Sequence, residues 1–492
     1  MNFSIDLTRL KSSDPSRSKL TVVRRARRRS TSRFQSVLVM LEAIGDFVAV
    51  GAAAIAGYGV HVLTHLGRPV HYPCSVVLAA SGTLGVVVVL MLDRAGVYSS
   101  GTSLLRVRET EKVLRVSMQT SAFSVAVSFC ATLLFSRWLL LVPLLFVPLF
   151  LLIEKHLVYV LVRHLHGKGI GIERVLIYGS GSTGRRVYSV LRRSPKLGLD
   201  PVVLVDDNPA KEGSTIFELS YERRRSAPVV CGPITKDLIR RWAADQVIIA
   251  IPSLQNEEFQ QTVEQALAAN ARVSFVPSHL FHSDVGTGFR DIDGVLIASF
   301  NLHSRRFAYE CAKRILDFGG AAFLLVVCAP LFLLLALLIK FDSEGPVFFG
   351  QSRVGTNGRH FRMFKFRTMY VDVPGYAYSP RVADDRRITP IGRFLRRTSL
   401  DELPQLFNVL LGNMSLVGPR PEMPFIVAQY NNRQLQRLDV KPGITGLWQL
   451  SGDRNYLIHE NIEYDLYYIQ HRNFFMDLAI LLHTPIFAVR GI

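Results

Sequence analysis

The stretch GGAAFLLVVCAPLFLLLALLI, from Gly319 to Ile339, is long and apolar enough to cross a membrane as a helix. Pro330 lies at its middle, where a proline removes one backbone hydrogen bond and bends a helix. Lysines and arginines flank the stretch on both sides, and basic flanks normally stay on the cytoplasmic side. We therefore predict a re-entrant helix, at about residues 316–340, that bends at Pro330 and returns to the face it entered. A kinked fifth span is the alternative.

Four further apolar segments precede this one, each with an apolar core of about 20 residues, enough to span a membrane. They lie near Ser36–Leu63, Pro73–Leu92, Val116–Phe135 and Trp138–Val162. Basic residues concentrate before the first segment and between the second and third. This pattern predicts a basic cytoplasmic N-terminus at residues 1–33, then four transmembrane helices at residues 34–165 with both ends in the cytoplasm.

Two acidic residues, Glu42 and Asp46, lie one helical turn apart in the first of these segments. An acid inside a membrane span is a functional candidate by default. Both residues lie near the predicted cytoplasmic end, where Arg94 or Arg115 could pair with them. We favour this structural role and expect no other ionisable groups in the spans, which argues against a transporter or channel.

The whole chain of 492 residues combines apolar sequence with positive charge. Hydrophobic residues make up 49% of it, and 58 lysines and arginines against 39 acids give a formal charge of +19. Soluble basic proteins rarely have this apolar content, so the composition indicates a membrane protein with cationic parts facing the cytoplasm. The five cysteines are scattered without metal-ligand spacing, which predicts neither disulfides nor a cysteine-ligated metal.

Residues 172–300 alternate strand and helix patterns, which predicts a cytoplasmic Rossmann-like α/β domain with a parallel sheet. RVLIYGSGSTGRRV reads as a strand, a glycine-rich turn and the start of a helix, and Gly179, Gly181 and Gly184 form a GxGxxG pattern. Asp206 ends the next strand, where an acid binding a ribose would lie. A tight turn also requires glycines, so nucleotide binding and a purely structural domain remain equally open.

The remaining region holds an acidic pair, Asp401 and Glu402, among many arginines. Ser399 and Glu402 have the spacing of a capping box, so the pair could simply begin a helix. A carboxylate near an activated phosphoryl group is also a known covalent catalyst, and Glu402 could hold Mg²⁺. The two interpretations are compatible. The basic surface suits a phosphorylated substrate at a membrane, and no nucleic-acid-binding module is visible.

Residues 308–492 resemble the catalytic domain of the bacterial sugar transferase family, the polyprenyl-phosphate glycosyl-1-phosphate transferases. The matching stretches, in order, are KRILDF, GPVFFGQSRVG, FRMFKFRTM, ITPIGRFLRRTSLDELPQLFNVLLGNMSLVGPRP and KPGITGLWQLSG. The four helices and the α/β domain upstream are similar to the large multipass branch of that family. The resemblance implies a mainly helical catalytic domain on a re-entrant membrane helix, with Pro330 as the residue that breaks the helix and Ala329 where some members have serine.

The resemblance also implies roles for residues of the site. Asp401 matches the nucleophile of the family and Glu402 its partner near Mg²⁺. The candidates for binding the substrate's phosphates are Lys365, Arg367, Arg396, Arg397 and Arg420. A turn near the nucleotide matches Pro442, Gly443 and Gly446, for which a purely structural loop is equally open.

The reaction implied is transfer of hexose-1-phosphate from a UDP-hexose to undecaprenyl phosphate, through a phosphosugar on Asp401 and with release of UMP. This would be the first membrane step of exopolysaccharide, capsule or O-antigen synthesis, on the cytoplasmic face of the bacterial inner membrane. A homodimer is compatible with the branch, and the sequence does not choose between glucose and galactose or name the pathway. A membrane-anchored NAD-dependent nucleotide-sugar epimerase or dehydratase is the alternative, supported by the GxGxxG pattern but not by a Tyr-x-x-x-Lys dyad, which that region lacks.

Overall fold

The computed structural model describes residues 15–64, 73–98, 106–130, 137–193, 198–218, 225–251, 254–276, 285–292, 295–302, 307–371, 385–450 and 462–488. The chain divides into two units, Met1–Ser278 and His279–Ile492. Each unit has its own hydrophobic cores, and each is treated separately below.

Four long helices open the first unit: α1 (Pro15–Thr64), α2 (Cys74–Arg94), α3 (Arg106–Cys130) and α4 (Arg137–Gly167). Helix α1 packs against α2 and α4, and α3 packs against the same two helices. Among the helices that the structure describes in this unit, three segments are long and apolar enough to cross a membrane: Ser36–Thr64, Ser75–Arg94 and Leu144–Gly167. The third predicted span coincides with α3 only up to Cys130, and its last residues lie outside the described part of the chain.

For Asp46, the predicted pairing with Arg94 or Arg115 is wrong. Asp46 is fully buried, and its Oδ2 accepts hydrogen bonds from Lys155 Nζ at 2.7 Å and from the Tyr98 hydroxyl at 2.7 Å. Lys155 and its neighbour Glu154 lie within α4, so the expectation that the spans hold no other ionisable groups is also wrong. The lysine neutralises the buried carboxylate through Oδ2 and ties α4 to α1, which is a structural role.

A six-stranded sheet follows, and it confirms the predicted Rossmann-like domain. Its strands are β1 (Glu173–Tyr178), β2 (Leu199–Asp206), β3 (Thr215–Glu218), β4 (Arg225–Cys231), β5 (Gln246–Ile249) and β6 (Arg272–Phe275), in the order β3-β4-β2-β1-β5-β6. Only β3 runs antiparallel to its neighbour. Helices α5 (Ser182–Arg193), α6 (Lys236–Arg241) and α7 (Asn256–Ala268) connect the strands. The central strand β1 is buried along most of its length, as a parallel sheet covered on both faces requires.

The end of this domain differs from the predicted boundary at residue 300. The sheet ends at Phe275, and the next two strands, β7 (Val285–Ile292) and β8 (Val295–Leu302), form a separate antiparallel hairpin. That hairpin belongs to the second unit, which begins at His279.

A bent pair of apolar helices leads the second unit after the hairpin. Helix α8 (Phe307–Val327) and helix α9 (Ala329–Asp342) meet at a bend of 62°, the geometry of a broken span or of a re-entrant loop. Pro330 lies in the first turn of α9, where its missing N–H is tolerated. Side chains such as Phe323, Val326 and Leu333 are largely exposed, which indicates a lipid-facing surface.

The region that contains the acidic pair packs on α9. Strands β9 (Phe348–Val354) and β10 (His360–Phe366) pair antiparallel, followed by α10 (Pro390–Thr398), a 3₁₀ turn at Leu400–Glu402 and α11 (Gln405–Leu410). Leu335 and Ile339 of α9 pack with Phe366 and Leu395, and the leucines on either side of the acidic pair join this core. The remaining elements are β11 (Ser415–Val417), α12 (Pro424–Val427), α13 (Asn432–Leu435), β12 (Gly443–Thr445), α14 (Leu447–Leu450), α15 (Glu463–His471) and α16 (Phe474–Ala488).

Candidate active site

The acidic pair lies in the short 3₁₀ turn between α10 and α11. Leu400 and Leu403 anchor the turn in the core beneath it. Ser399, just before it, adopts a left-handed conformation with φ 57° and its side chain makes no cap hydrogen bond. The predicted capping box is therefore wrong, because Ser399 ends α10 while the Glu402 side chain bonds to cations instead. Such a conformation is unfavourable for a serine and is retained only where the surroundings enforce it.

Two cations hold the Glu402 carboxylate. Lys365 Nζ donates to its Oε1 at 2.8 Å, and Arg420 Nη2 donates to the same oxygen at 2.6 Å. Arg420 Nη1 lies 3.3 Å from Oε2, so the guanidinium faces the carboxylate with both terminal nitrogens. Lys365 Nζ also lies 3.7 Å from Asp401 Oδ2 and thus lies between the two acids.

The surroundings separate the pKa values of the two carboxyl groups. Burial raises the pKa of Asp401, which is 9% exposed, and the charge of Glu402 adds to that rise while Lys365 opposes it. Burial would also raise the pKa of Glu402, but Arg420 and Lys365 outweigh it and hold that pKa well below its usual range. The charge of Arg396, in the last turn of α10, further favours an ionised Asp401. Glu402 is therefore the fixed anion of the pair, and Asp401 is the group closer to neutrality.

Asn408 fixes the strand that carries Lys365. Its fully buried side chain accepts a hydrogen bond from Phe364 N at 2.9 Å and donates one to the Arg362 carbonyl at 2.7 Å. Both partners lie on β10, so the amide joins α11 to that strand in a single register. This bond pair holds Lys365 opposite the acidic turn.

The segment Gly418–Glu422 presents Arg420, and its backbone is held at nearly every residue. The carbonyls of Pro419 and Glu422 accept from the backbone of Gly443 at 2.9 Å and Val354 at 3.0 Å. The carbonyl of Arg420 accepts from Arg437 Nη2 at 3.0 Å. Arg437 is in turn fixed by Asp465 Oδ2, 2.8 Å from its Nε, and both side chains are buried. A segment tied in this way positions a side chain before any ligand arrives.

Two of the predicted phosphate-binding residues, Arg367 and Arg397, lie apart from the acidic pair. Arg367 is 6% exposed, and its guanidinium donates to the carbonyls of Ser343 and Glu344, so it caps the C-terminus of α9. Arg397 is exposed on α10. Three of the five phosphate candidates thus surround the acidic pair, and these two do not.

The predicted turn at Pro442, Gly443 and Gly446 packs against Gly418. A side chain at Gly443 or Gly446 would collide with the Gly418 backbone, and the Pro442 carbonyl accepts from Ser415 N at 2.8 Å. This contact explains the glycines by packing, since it lets β12 lie beside the segment that carries Arg420.

The glycine-rich turn of the α/β domain lies beside Asp206, as the GxGxxG pattern predicts. The two are joined by hydrogen bonds from the turn to the Asp206 carboxylate. Asp206 Oδ2 accepts from Ser180 N at 2.8 Å, from Ser180 Oγ at 2.7 Å and from Lys211 Nζ at 2.9 Å. Burial opposes ionisation here, yet these bonds lower the pKa of Asp206. A side chain at Gly184 would collide with the Gly179 carbonyl. The turn and the acid thus satisfy each other, which favours a structural role.

The acidic pair fits a magnesium ion that draws most of its ligands from elsewhere. Mg²⁺ is commonly held by one or two carboxylates together with water and substrate phosphates. Asp401 and Glu402 supply two adjacent carboxylates, and the described residues contain no group of three or more acids, histidines or cysteines that could form a protein-only site. Glu402 Oε1 already accepts hydrogen bonds from Lys365 and Arg420.

Asn408, Arg437 and Asp465 are site-supporting residues that the sequence analysis missed. The first lies among leucines in a helix pattern, and the other two are 28 residues apart. No local pattern marks them, because their function depends on contacts across the fold. Motif reasoning finds the groups that carry the chemistry more readily than those that hold them.

Comparison with known proteins agrees with this geometry. A model of the bacterial sugar transferase family matches residues 308–491, and a model described as a CoA-binding domain matches residues 93–277. The UDP-glucose:undecaprenyl-phosphate glucose-1-phosphate transferase of Xanthomonas campestris is 33% identical over 341 residues, 66% of this chain and 68% of that protein. The undecaprenyl-phosphate galactose phosphotransferase of Salmonella typhimurium is 29% identical over 405 residues, 76% of this chain and 80% of that protein.

A shorter relative matches about a third of the chain. The exopolysaccharide production protein ExoY of Rhizobium meliloti is 38% identical over 188 residues, which are 35% of this chain and 83% of that protein. Asp401, Glu402 and the three cations beside them form an acidic and cationic cluster; these cations are Lys365, Arg396 and Arg420. The match to the family model includes all five residues. The chain therefore belongs to the bacterial sugar transferase family, the family of the polyprenyl-phosphate hexose-1-phosphate transferases.

Proposed function

We propose that this protein transfers hexose-1-phosphate from a UDP-hexose to undecaprenyl phosphate, forming undecaprenyl-diphosphate-hexose and UMP. The observation that carries the proposal is the arrangement of Asp401, a buried carboxylate with one cation 3.7 Å away and two more acting on its charge. Relatives named as UDP-sugar or undecaprenyl-phosphate transferases support the substrate classes.

In the first half of the reaction, a carboxylate oxygen of Asp401 attacks the phosphorus that bears the sugar. A new oxygen–phosphorus bond forms, the bond to the UMP oxygen breaks, and UMP leaves with the electron pair of that bond. Lys365, Arg396 and Arg420 bind the diphosphate oxygens and stabilise the charge that spreads over them in the transition state. Bound Mg²⁺, for which Glu402 is the proposed ligand, would add neutralising charge at the same diphosphate.

In the second half, a phosphate oxygen of undecaprenyl phosphate attacks the same phosphorus. The bond to Asp401 breaks, the carboxylate is restored, and the lipid leaves as the diphosphate-linked sugar. In each step the incoming and leaving oxygens lie on opposite sides of the phosphorus. Because the same phosphorus reacts in both steps, the same three cations serve both halves.

The membrane arrangement supports a lipid substrate. The acidic turn packs on α9 through Leu400 and Leu403, and α9 continues the apolar, largely exposed surface of α8. We propose that α8 and α9 form a re-entrant pair and that α1 to α4 span the membrane, with the α/β domain and the acidic pair on the cytoplasmic face. The acidic pair would then lie near the bilayer surface, where the phosphate of a polyprenyl lipid is found.

The test is release of UMP by purified full-length protein with Mg²⁺, undecaprenyl phosphate and a panel of UDP-sugars. We expect UMP from one or a few donors and a loss of at least about a thousandfold in Asp401→Asn, because the amide is not a nucleophile. Undiminished turnover in that variant would return the acidic pair to a structural role. Absence of UMP with every donor, together with reduction or oxidation of an added nicotinamide cofactor, would favour the epimerase or dehydratase alternative.

A further inference from the structure

The site binds its own anion where the substrate's anion is expected. Lys365 and Arg420 are two of the three cations that would contact the diphosphate, and both donate to Glu402 Oε1, at 2.8 Å and 2.6 Å. The Arg420 side chain is nevertheless 32% exposed. The Glu402 carboxylate has the same donors as a substrate phosphate oxygen would have.

A diphosphate bound here would have to share the charge of these cations with Glu402. Arg420 turns both terminal nitrogens toward Glu402, and its backbone carbonyl is held by Arg437. Lys365 is held on a strand whose register Asn408 fixes. If the two side chains turn toward a phosphate, the largely buried Glu402 carboxylate loses its partners. That loss is costly unless another cation takes their place.

We infer that Glu402 is an internal competitor that occupies the phosphate-binding cations until a divalent cation arrives with a nucleoside diphosphate. This rests on the proposed function and adds to it. In the substrate-free protein, Glu402 neutralises Lys365 and Arg420. When a divalent cation takes over as the partner of Glu402, the two side chains become available to the diphosphate. Glu402 thus makes nucleotide binding depend on the metal.

Equilibrium binding of UDP to the full-length protein in detergent tests this inference without relying on turnover. Wild type is measured in EDTA and in Mg²⁺, beside Glu402→Gln under both conditions. We expect weak binding to wild type in EDTA and much tighter binding in Mg²⁺. Glu402→Gln should bind UDP at least about tenfold more tightly than wild type in EDTA, because a negative charge next to the phosphates has been removed. Mg²⁺ should then add little.

Glu310→Gln is the matched control. Glu310 forms an exposed ion pair with Arg472, so this variant has the same change in charge away from the acidic pair. Its UDP binding should equal that of wild type in both conditions. If Glu402→Gln unfolds at a much lower temperature, Glu402→Ala replaces it: this variant also removes the negative charge, and its UDP binding in EDTA should again exceed that of wild type.

The outcomes separate the two proposals. Equal or weaker UDP binding by the Glu402 variants in EDTA, with Mg²⁺-dependent binding by wild type, overturns the internal competitor and leaves the proposed function standing. No UDP binding by wild type in either condition overturns both, since the donor is then not a uridine nucleotide. Tighter metal-free binding by the variants, with loss of the effect of Mg²⁺, supports the inference.

Discussion

Asp401 and Glu402 are neighbours in the chain, yet their surroundings give them different properties. Glu402 is paired with two cations, and its pKa is held low. Burial raises the pKa of Asp401, with only the more distant charges of Lys365, Arg420 and Arg396 opposing that rise. A nucleophilic carboxyl that is harder to ionise is also a stronger nucleophile once ionised, so this difference suits the proposed roles.

The position of Lys365 leads to a prediction for the pH dependence of the reaction. Its ammonium stabilises the ionised form of Asp401 and so lowers the pKa of that group. In Lys365→Met the pKa of Asp401 should rise. As the pH falls, the variant should therefore lose its reactive carboxylate at a higher pH than wild type does, and the acid limb of kcat/KM should move upward by about one pH unit. The measurement is UMP release across the pH range.

Lys211→Met serves as the control, because Lys211 is also ion-paired to an aspartate but lies in the α/β domain. Its acid limb should coincide with that of wild type. A lower rate in Lys365→Met with an unmoved acid limb would mean that Lys365 acts on the substrate alone and not on the ionisation of Asp401.

The sequence predicts the acidic pair and three of its cations but cannot sort Lys365 from Arg367. The two residues are two positions apart in one motif and carry the same charge. Strand β10 ends at Phe366, however, and beyond it Arg367 meets the free carbonyls at the end of α9. Helix ends leave such carbonyls unsatisfied, and which cation satisfies them depends on tertiary packing.

At the scale of elements, the segment that carries Arg420 depends on one buried arginine. Arg437 donates from Nε to Asp465 and from Nη2 to the Arg420 carbonyl, and its guanidinium also bonds the Tyr430 hydroxyl. Lysine has a single ammonium and cannot reproduce this fork. In Arg437→Lys we expect kcat to fall by about tenfold, because Arg420 loses its fixed position.

The kinetic constants for UMP release test this expectation, with thermal unfolding measured on the same samples. Arg472→Lys is the control, since Arg472 pairs with the exposed Glu310 and should be dispensable. A lower unfolding temperature in Arg437→Lys with an unchanged kcat would make Arg437 a structural residue and not one that positions Arg420.

The bend between α8 and α9 separates two topologies that the sequence alone leaves open. A re-entrant pair keeps residues before and after it on one side, while a kinked span places them on opposite sides. Cys311 is exposed in α8, and Arg359 is exposed beyond α9. In a chain with Cys311 and Arg359→Cys as the only cysteines, we expect both to resist an impermeant maleimide in intact cells and to react after permeabilisation.

A cysteine at position 68, between the first two predicted spans, provides the control for labelling from outside. It should react in intact cells, because the distribution of basic residues places that loop on the far side of the membrane. Labelling of Arg359→Cys but not of Cys311 in intact cells would establish the kinked span and contradict the proposed cytoplasmic site.

At the scale of the whole molecule, the sequence predicts the order of the parts better than their contacts. Apolar length identifies helices such as α1, α2 and α4, and the alternating pattern identifies the α/β sheet. The pairing of Asp46 with Lys155, 109 residues away, has no local signature. The hairpin β7–β8 lies in the second unit, although the alternating pattern of the α/β domain extends to residue 300. Long-range pairing is decided by packing that a local pattern does not contain.

All described members of the acidic and cationic cluster lie in the second unit, which leads to a prediction for the isolated fragment. Residues 279–492 contain Asp401, its cations and the residues that hold them. ExoY aligns over 83% of its length with about a third of this chain, so a protein of this family exists with little else. A unit with its own core can fold alone.

In detergent, the fragment of residues 279–492 should release UMP with a kcat within about tenfold of the full chain. The same fragment carrying Asp401→Asn should be inactive, and so should residues 1–278. A folded fragment that binds UDP but releases no UMP would show that the first unit contributes to the chemistry, against the assignment of the reaction to the second unit alone.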